Sequence, residues 1–371
     1  MKAALHQRSG KRFEVALLAT RLSVLGHDPC GGSEVVLWED REILRNAGIP
    51  VRVYGRAVWE GAPVSTLPIH TRFPLISSLE YCGRFLLQER GSAVMSYNEP
   101  TIAGLAPDHA IVRFDWSTPL PKYWKLPGWL GRFQRALYLF PSESERALFL
   151  SLHPLIPSSS TVVIPNGIDL NVFHPAANGR VATRVGFAGQ WSERKGFAQL
   201  LDAWKMVREQ VPAAELHIAG GTRLWKGVSS SGEPREIANQ AEKMANRGLL
   251  RILGERKRSE MPAFWNSVSL AVVPSLYEPF GLVALEAMAC GVPIVASAVG
   301  GLKEIVVDGE CGLLVPPNDP RKLADALVTL LGSEPLRRRL AEAARQRAQA
   351  FSIERRSGAL IDLLAGRTEM R

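Results

Sequence analysis

Short apolar runs alternate with helix-length segments along most of this 371-residue chain. Runs such as 184–188, 215–219, 269–273 and 293–296 have the length of buried strands. The segments between them are long enough to form helices, which predicts βαβ units around parallel sheets. In α/β folds of this kind, ligands bind at the carboxyl ends of the strands. The loops that follow strands are therefore where we look for function.

The alternation runs twice, which predicts two domains, as the chain length also favours. We expect the first domain to cover 1–175 and the second to cover 176–350, with a C-terminal helix at 351–371 that packs back on the first. The polar stretch 176–183 has no apolar period and is typical of an interdomain linker.

Charge and composition limit the possible partners and the location. Lys and Arg number 45 against 36 Asp and Glu, and the net charge of +9 suits anionic partners such as nucleotides, nucleic acid or a lipid surface. The apolar run 15–19 is too short for a signal-peptide core or a membrane span. The four cysteines have neither CxxC spacing nor nearby histidines, so we expect no disulfide framework, no zinc site and a cytoplasmic protein.

The segment 274–286 is the most informative in the chain. A strand ends at Val273, a loop carries Glu278 and Gly281, and a helix begins near Leu282, so the free amides of that helix start suit a phosphate. Glu286 is the only charged residue between 279 and 302, and a carboxylate on so apolar a helix is costly unless it receives hydrogen bonds. The two hydroxyls of a ribose would donate them, and so would an arginine or a backbone amide of the protein.

Two further strand–helix loops carry residues that suit a phosphate. Arg194 and Lys195 follow the strand 184–188, where they either reach the strand-end site or form a solvated basic turn. Gly31 and Gly32 lie between a strand and a helix, where glycine lets the backbone approach a phosphate or a sugar closely, although a glycine pair is also common in tight turns.

Glu278 and Glu286 form an E-x7-E pattern that resembles the retaining, nucleotide-sugar-dependent glycosyltransferases of the GT-B fold, family 4. Five further segments are similar to segments of that family and occur in the same order along the chain: 163–169, 187–196, 293–297, 300–301 and 318–320. The resemblance implies an α/β protein of the GT-B fold, with two doubly wound Rossmann-like domains that face each other across a cleft.

The same resemblance implies roles for individual residues. Arg194 and Lys195 would bind the donor diphosphate and stabilise charge on the departing nucleotide, while Glu278 orients the donor sugar and Glu286 binds the ribose. Gly31 and Gly32 would belong to a loop that closes over the diphosphate. Backbone amides around four residues would hold sugar and phosphate: Phe280, Gly281, Leu282 and Val283.

One position departs from the family pattern. The family commonly has a histidine at the end of a first-domain strand, near the reacting carbon, whereas here the strand 110–114 is followed by Asp115. Asp115 either takes that place beside the donor sugar or is an ordinary turn or helix-cap residue.

The function implied is transfer of a sugar from a nucleotide-sugar, UDP-linked in preference to GDP-linked, to the hydroxyl of a glycan or lipid-linked acceptor. The family points to polysaccharide or lipopolysaccharide synthesis at the cell surface. No cofactor and no metal are implied, since the chain has no DxD motif and Arg194 and Lys195 would neutralise the diphosphate. The alternatives are a GT-B nucleotide-sugar epimerase, a sugar-nucleotide-binding module without activity, and a nucleic-acid-binding protein, which would leave Glu286 unexplained.

Two basic regions remain. The segment 116–142 contains no acidic residue and interleaves cations with aromatics: Lys122, Lys125, Arg132 and Arg135 with Tyr123, Trp124, Trp129, Phe133 and Tyr138. It suits an anionic membrane surface at the inner face of the plasma membrane, a single-stranded nucleic acid, or a partly buried helix with snorkelling cations. The arginine-rich tail 337–356 predicts a solvated helix face.

Overall fold

The computed structural model describes residues 14–20, 32–55, 64–67, 74–89, 93–115, 120–126, 128–176, 180–225, 228–229 and 234–369. The chain forms two compact units. One comprises Met1–Pro165 together with Arg356–Arg371, and the other comprises Asn166–Arg355. The sequence predicts divisions at 175/176 and 350/351, whereas the observed ones fall after Pro165 and after Arg355.

The first unit is built on a parallel sheet. Its strands are β1 (Val15–Leu18), β2 (Val51–Gly55), β3 (Val64–Thr66), β4 (Ala93–Tyr97), β5 (Ala110–Arg113), β6 (Leu137–Phe140) and β7 (Thr161–Val163). Its helices are α1 (Gly32–Asn46), α2 (Pro74–Gln88), α3 (Thr101–Leu105), α4 (Leu130–Arg135) and α5 (Glu143–Leu152). The strands lie in the order β3-β2-β1-β4-β5-β6-β7, and their carboxyl ends meet at one edge because neighbours pair in parallel.

Local sequence explains why these segments form these elements. β1 and β5 are buried along their whole length, as expected of parallel strands that are covered on both faces. α5 begins at Ser142, whose Oγ accepts a hydrogen bond from the amide of Glu145, and acidic residues in its first turn complement the helix dipole.

The second unit repeats the plan. Its strands are β8 (Val181–Ala188), β9 (Glu215–Ala219), β10 (Arg223–Trp225), β11 (Val228–Ser229), β12 (Arg251–Gly254), β13 (Val268–Val273), β14 (Ile294–Ser297) and β15 (Gly312–Val315). Its helices are α6 (Phe197–Gln210), α7 (Pro234–Asn246), α8 (Met261–Asn266), α9 (Leu282–Ala289), α10 (Leu302–Ile305), α11 (Pro320–Gly332) and α12 (Glu334–Ala348). The sheet order is β12-β9-β8-β13-β14-β15, and β10 pairs with β11 as a separate antiparallel hairpin. α13 (Ile353–Glu369) begins here and joins the first unit from Arg356 onward.

Both faces of the second sheet are packed. Along β13, Leu270 and Val272 belong to one apolar cluster, whereas Ala271 and Val273 belong to another. Because successive side chains of a strand point to opposite faces, these are the two sides of a doubly wound sheet. The parallel α/β architecture that the sequence predicts is confirmed in both units.

One prediction about an element is wrong in detail. The polar stretch 176–183 is not linker throughout, because β8 begins at Val181. The first residues of that strand are exposed or half-buried, so they show no apolar period. At the other end of the unit, α12 ends at Ala348 and a 3-10 turn follows over Gln349–Phe351.

The arginine-rich tail is also not simply a solvated face. Arg337 is buried and donates to the carbonyl of Leu331 at the end of α11 (2.7 Å), and Arg347 donates to the carbonyl of Glu304 in α10 (2.6 Å). Arg356 is buried and pairs with Asp40 of α1. Only part of the tail, including Arg338 and Arg339, is exposed as predicted.

Candidate functional site

The order of strands in the second unit reverses direction between β8 and β13. At such a switch point the connections leave toward opposite sides, and open α/β sheets bind ligands beside the carboxyl ends of those strands. The loop after β8 carries Arg194 and Lys195, and the loop after β13 carries Ser275 and Glu278. The predicted residues of these two loops therefore meet at one place.

Lys195 and Glu278 form an ion pair between the loops. The Nζ of Lys195 lies 2.6 Å from Oε2 of Glu278, and the hydroxyl of Ser275 lies 3.0 Å from the same oxygen. Burial raises the pKa of Glu278, but Lys195, with a smaller contribution from Arg194, outweighs burial and holds the pKa below its usual range. Glu278 is thus a fixed anion with a cation beside it, while Arg194 is exposed.

Close backbone packing holds the two loops together. The amide of Leu276 donates to the carbonyl of Arg194 at 2.9 Å. Gly196 has φ of +64°, and a Cβ there would lie 1.8 Å from the carbonyl oxygen of Pro274. Only glycine fits this position without displacing one of the loops.

The loop after β13 leads directly into α9. Gly281, with φ of +108°, precedes the first residue of the helix, and Phe280 is buried against Phe351 with ring centroids 5.9 Å apart. Leu282 and Val283 are half-buried in the first turn, whose amides have no partner within the helix. That these four residues hold an anion beside Glu278 with their backbone amides stays a prediction from the sequence.

Glu286 lies in the same helix and is 5% exposed. Its Oε1 lies 3.3 Å from Nη1 of Arg258, and its Oε2 accepts from the indole N–H of Trp265 at 3.3 Å. Burial raises the pKa of Glu286 above its usual range, since the two donors only partly offset burial. Protein donors therefore do contact this carboxylate, which is one of the two possibilities that the sequence leaves open.

Asp115 belongs to the first unit, at the carboxyl end of β5. Its Oδ1 accepts from Nε of Arg113 at 2.9 Å, and its amide donates to Oδ1 of Asn98, which follows β4. Asn98 also donates to the hydroxyl of Ser33 in the first turn of α1 at 3.2 Å, next to Gly32. Among the described residues, nothing hydrogen-bonds to the buried Oδ2 of Asp115. Gly31 lies outside the described residues.

Asn98 has φ of +54°, a backbone conformation that is rare for residues other than glycine. Where it does occur, it is frequently at a functional site. Arg113 is fully buried, and its pKa is raised because Asp115 and Asp40 outweigh the effect of burial. Asp115 is therefore held in place by a buried cation, and its Oδ2 has no hydrogen-bond donor among the described residues.

The basic segment 116–142 is largely core. Trp124, Phe133 and Tyr138 are buried, so the aromatics that the sequence offers to a membrane surface or a nucleic acid mostly pack inside. Arg132 donates to the carbonyl of Leu105 at 2.8 Å, and Arg135 pairs with Asp108 at 3.4 Å. Lys122 and Lys125 are exposed.

Sequence reasoning missed Ser275, Arg258 and Trp265 in the second unit and Asn98 and Arg113 in the first. Ser275 and Asn98 each follow a buried strand and could have been found from that position alone. Within the described ranges, no cluster of three or more His, Cys, Asp or Glu residues is arranged to hold a metal ion. No helix in the part of the chain that the structure describes has the length and apolar character that crossing a membrane requires.

Comparison with known proteins finds a family similarity within the second unit. Residues 181–347, from β8 into α12, match the family described as "Glycosyl transferases group 1". A D-inositol 3-phosphate glycosyltransferase from a Nocardioides species is 34% identical over 248 residues, which are 62% of this chain and 54% of that protein. The chain spans about half the length of the curated relatives it matches.

Solved structures share the fold over nearly the whole chain. Sucrose-phosphate synthase from Thermosynechococcus elongatus matches with a TM-score of 0.79 and 24% identity, covering 97% of this chain and 100% of that one. Anabaena HepE in complex with UDP and glucose matches with a TM-score of 0.75 and 20% identity, covering 95% and 100%. The GT-B fold, with two Rossmann-like α/β domains, is confirmed.

Proposed function

We propose that this protein is a retaining glycosyltransferase of family 4, which transfers a sugar from a nucleotide-sugar to an acceptor hydroxyl. The observation that carries the proposal is the 2.6 Å pair of Lys195 and Glu278 at the switch point, with the start of α9 and Glu286 directly after it. The match of 181–347 to the Glycosyl transferases group 1 family supports it, and so do relatives named as glycosyltransferases.

In the proposed reaction the nucleoside diphosphate leaves with growing negative charge. Arg194, Lys195 and the amides of Leu282 and Val283 stabilise that charge without a metal ion. Glu278, held by Lys195 and Ser275, accepts hydrogen bonds from the donor sugar and orients it. Attack is from the face that the nucleotide leaves, and the departing phosphate oxygen takes the proton of the acceptor hydroxyl, so no protein base is needed.

In the first unit we propose roles for Asp115 and for Gly31 and Gly32. We assign Oδ2 of Asp115, which has no partner within the described ranges, to a hydroxyl of the donor sugar, because a buried carboxylate oxygen requires a donor and a sugar hydroxyl is a neutral one. We also propose that the amides at the start of α1 bind the diphosphate.

For the donor we propose a UDP-sugar in preference to a GDP-sugar, which the solved complex of HepE with UDP and glucose supports. For the acceptor we propose a hydroxyl of a glycan or of a lipid-linked intermediate of cell-surface polysaccharide or lipopolysaccharide synthesis, reached at the cytoplasmic face of the membrane. D-inositol 3-phosphate is a second acceptor to test, since the curated relatives are named for it.

The test measures nucleotide release and the anomeric configuration of the product by proton NMR, with UDP-, GDP- and ADP-glucose in excess EDTA. We expect release from one donor, a product that keeps the donor's configuration, and a large loss of turnover for Lys195→Met. Lys205→Met is the matched control, because Lys205 is an exposed lysine that pairs with Asp202, three positions before it, at 2.8 Å. An inverted anomer, or turnover that depends on added metal, would overturn the proposed mechanism.

A further inference from the structure

Each carboxylate oxygen of Glu286 accepts one hydrogen bond from the protein. Oε1 has Arg258 at 3.3 Å and Oε2 has Trp265 at 3.3 Å. A carboxylate offers about four lone-pair positions, two on each oxygen. Each oxygen of Glu286 therefore retains the capacity to accept one more hydrogen bond.

Separate elements fix the two donors. Trp265 is fully buried in α8, with its ring 4.7 Å from that of Phe264, and its indole nitrogen can only donate. Arg258 lies beyond the carboxyl end of β12, and its guanidinium sits 5.5 Å from the centroid of the buried Phe173 ring. With one donor on each oxygen, the rotation of the carboxylate about its terminal bond is set by the protein.

The protein alone leaves this carboxylate under-stabilised. Burial raises the pKa of Glu286 even with Arg258 and Trp265 in place, whereas the pKa of Glu278 is lowered by its own partners. A ligand that brings two further donors side by side would complete the hydrogen bonding. Two vicinal hydroxyls have that form, and they carry no charge of their own to desolvate.

We propose that Arg258 and Trp265 are positioning residues that orient Glu286 to accept the 2′- and 3′-hydroxyls of the donor ribose, one on each oxygen. This rests on the proposed function, since it assumes that a nucleotide binds beside α9. Neither residue needs to touch the ligand. Their effect on affinity passes through the orientation and ionisation of Glu286, and it must depend on the two hydroxyls.

The test titrates wild type, Arg258→Met and Trp265→Phe with UDP and with 2′,3′-dideoxy-UDP in a calorimeter. GDP and ADP with their dideoxy forms are used if UDP does not bind. For the natural nucleotide we expect each variant to lose about tenfold in affinity or more, the range for a hydrogen bond to a charged group. For the dideoxy nucleotide we expect little change, and Arg258→Lys should restore part of the loss.

Arg256→Met is the matched control, since Arg256 lies two positions away and pairs with Glu260 at 3.1 Å at the surface. Equal losses for the natural and dideoxy nucleotides, or no loss for either, would overturn the proposal in a protein that binds nucleotide. A folded wild type that binds none of the three nucleotides would instead count against the proposed function.

Discussion

Two glutamates eight positions apart have opposite pKa shifts, although both are buried. Glu278 has an ammonium group at 2.6 Å and a hydroxyl on the same oxygen, so it is firmly ionised. Glu286 has only longer contacts at 3.3 Å, so burial dominates its pKa. The difference suits a site in which one carboxylate is prepared before the ligand arrives and the other is completed by it.

Replacing Glu286 should weaken nucleotide binding as well as turnover. Glu286→Ala removes the proposed acceptor for the ribose hydroxyls, and we expect a loss of about 1.5–3 kcal/mol in the affinity for the nucleoside diphosphate. Calorimetry measures this, with Glu310→Ala as a control because Glu310 is exposed. Unchanged affinity in a folded Glu286→Ala variant would remove the ribose role.

A single methyl group at Gly196 should separate the two loops of the site. Gly196→Ala puts Cβ 1.8 Å from the carbonyl oxygen of Pro274, whereas Gly248→Ala meets nothing within 4 Å at a similar φ of +68°. Both variants bear the left-handed strain of about 1–2 kcal/mol. We expect only Gly196→Ala to lose more stability than that in urea unfolding, and to lose nucleotide binding. Equal unfolding midpoints for the two variants would show that the close approach does not matter.

At the scale of elements, a buried ion pair attaches α13 to the first unit. Arg356 is 3% exposed and pairs with the fully buried Asp40 of α1, which also accepts from the hydroxyl of Tyr97 at 2.8 Å. Because these partners come from α13, α1 and β4, the C-terminal helix is part of the same buried polar network as Arg113 and Asp115.

Breaking this pair should be strongly destabilising. Arg356→Met leaves Asp40 buried without its cation, and losing one partner of a buried pair costs about 3–5 kcal/mol. Arg355→Met, at the exposed neighbouring position, should change stability little. Urea unfolding followed by circular dichroism compares the two variants, and equal midpoints would mean that the pair does not hold the helix.

Some elements of this fold are predicted from the sequence and others are not. Strands such as β13 and β14 are buried on both faces and appear as continuous apolar runs, so they were predicted nearly to the residue. α5 is not among the predicted elements, although Ser142 followed by Glu143 and Glu145 is typical of a helix start.

The site residues also include some that the sequence predicts and some that it does not. Glu278 and Lys195 follow strands and were found. The contact of Arg258 with Glu286 joins residues 28 positions apart, and that of Asn98 with Ser33 joins residues 65 apart, so neither has a local signal.

At the scale of the whole molecule, much of the basic charge is structural. Arginines donate to the last carbonyls of three helices: Arg132 at α3, Arg337 at α11 and Arg347 at α10. Arg180 donates to the carbonyl of Gly291, just beyond the end of α9. Helix ends leave such carbonyls unpaired and carry a negative partial charge, so a guanidinium suits them. The net charge of +9 therefore overstates how basic the surface is toward a partner.

Acid should destabilise the protein through its buried histidines. Burial lowers the pKa of His153 and of His217, so below about pH 6.5 the unfolded chain binds protons that the folded chain does not. The contribution of these histidines to the free energy of unfolding is fully present above that pH. It falls as the pH drops, by up to about 1.4 kcal/mol per pH unit for each such proton. Thermal unfolding from pH 7.5 to 5.5 measures this. His153→Phe should make the stability less dependent on pH, whereas His174→Phe, at an exposed position, should not. An unchanged pH dependence in His153→Phe would exclude His153 as a cause.

We predict that segment 116–142 binds an anionic membrane mainly through the exposed Lys122 and Lys125, because Arg132 donates to Leu105 and Arg135 pairs with Asp108. Each lysine near an anionic surface contributes about 1 kcal/mol, so binding should be weak and released by salt. Co-sedimentation with vesicles that contain anionic lipid should decrease for Lys122→Ser with Lys125→Ser, and not for Lys205→Ser. Equal pelleting with neutral and anionic vesicles would contradict a role for these lysines.

The most direct test of the donor site is hydrogen–deuterium exchange of the wild type with and without saturating UDP, GDP or ADP. For the nucleotide that binds, slower exchange is expected in the loop 189–196 and across 274–286, because its phosphates would engage the amides at the start of α9. Binding without protection in either segment, or a folded protein that binds none of the three, would contradict the assignment of this site to a nucleotide-sugar.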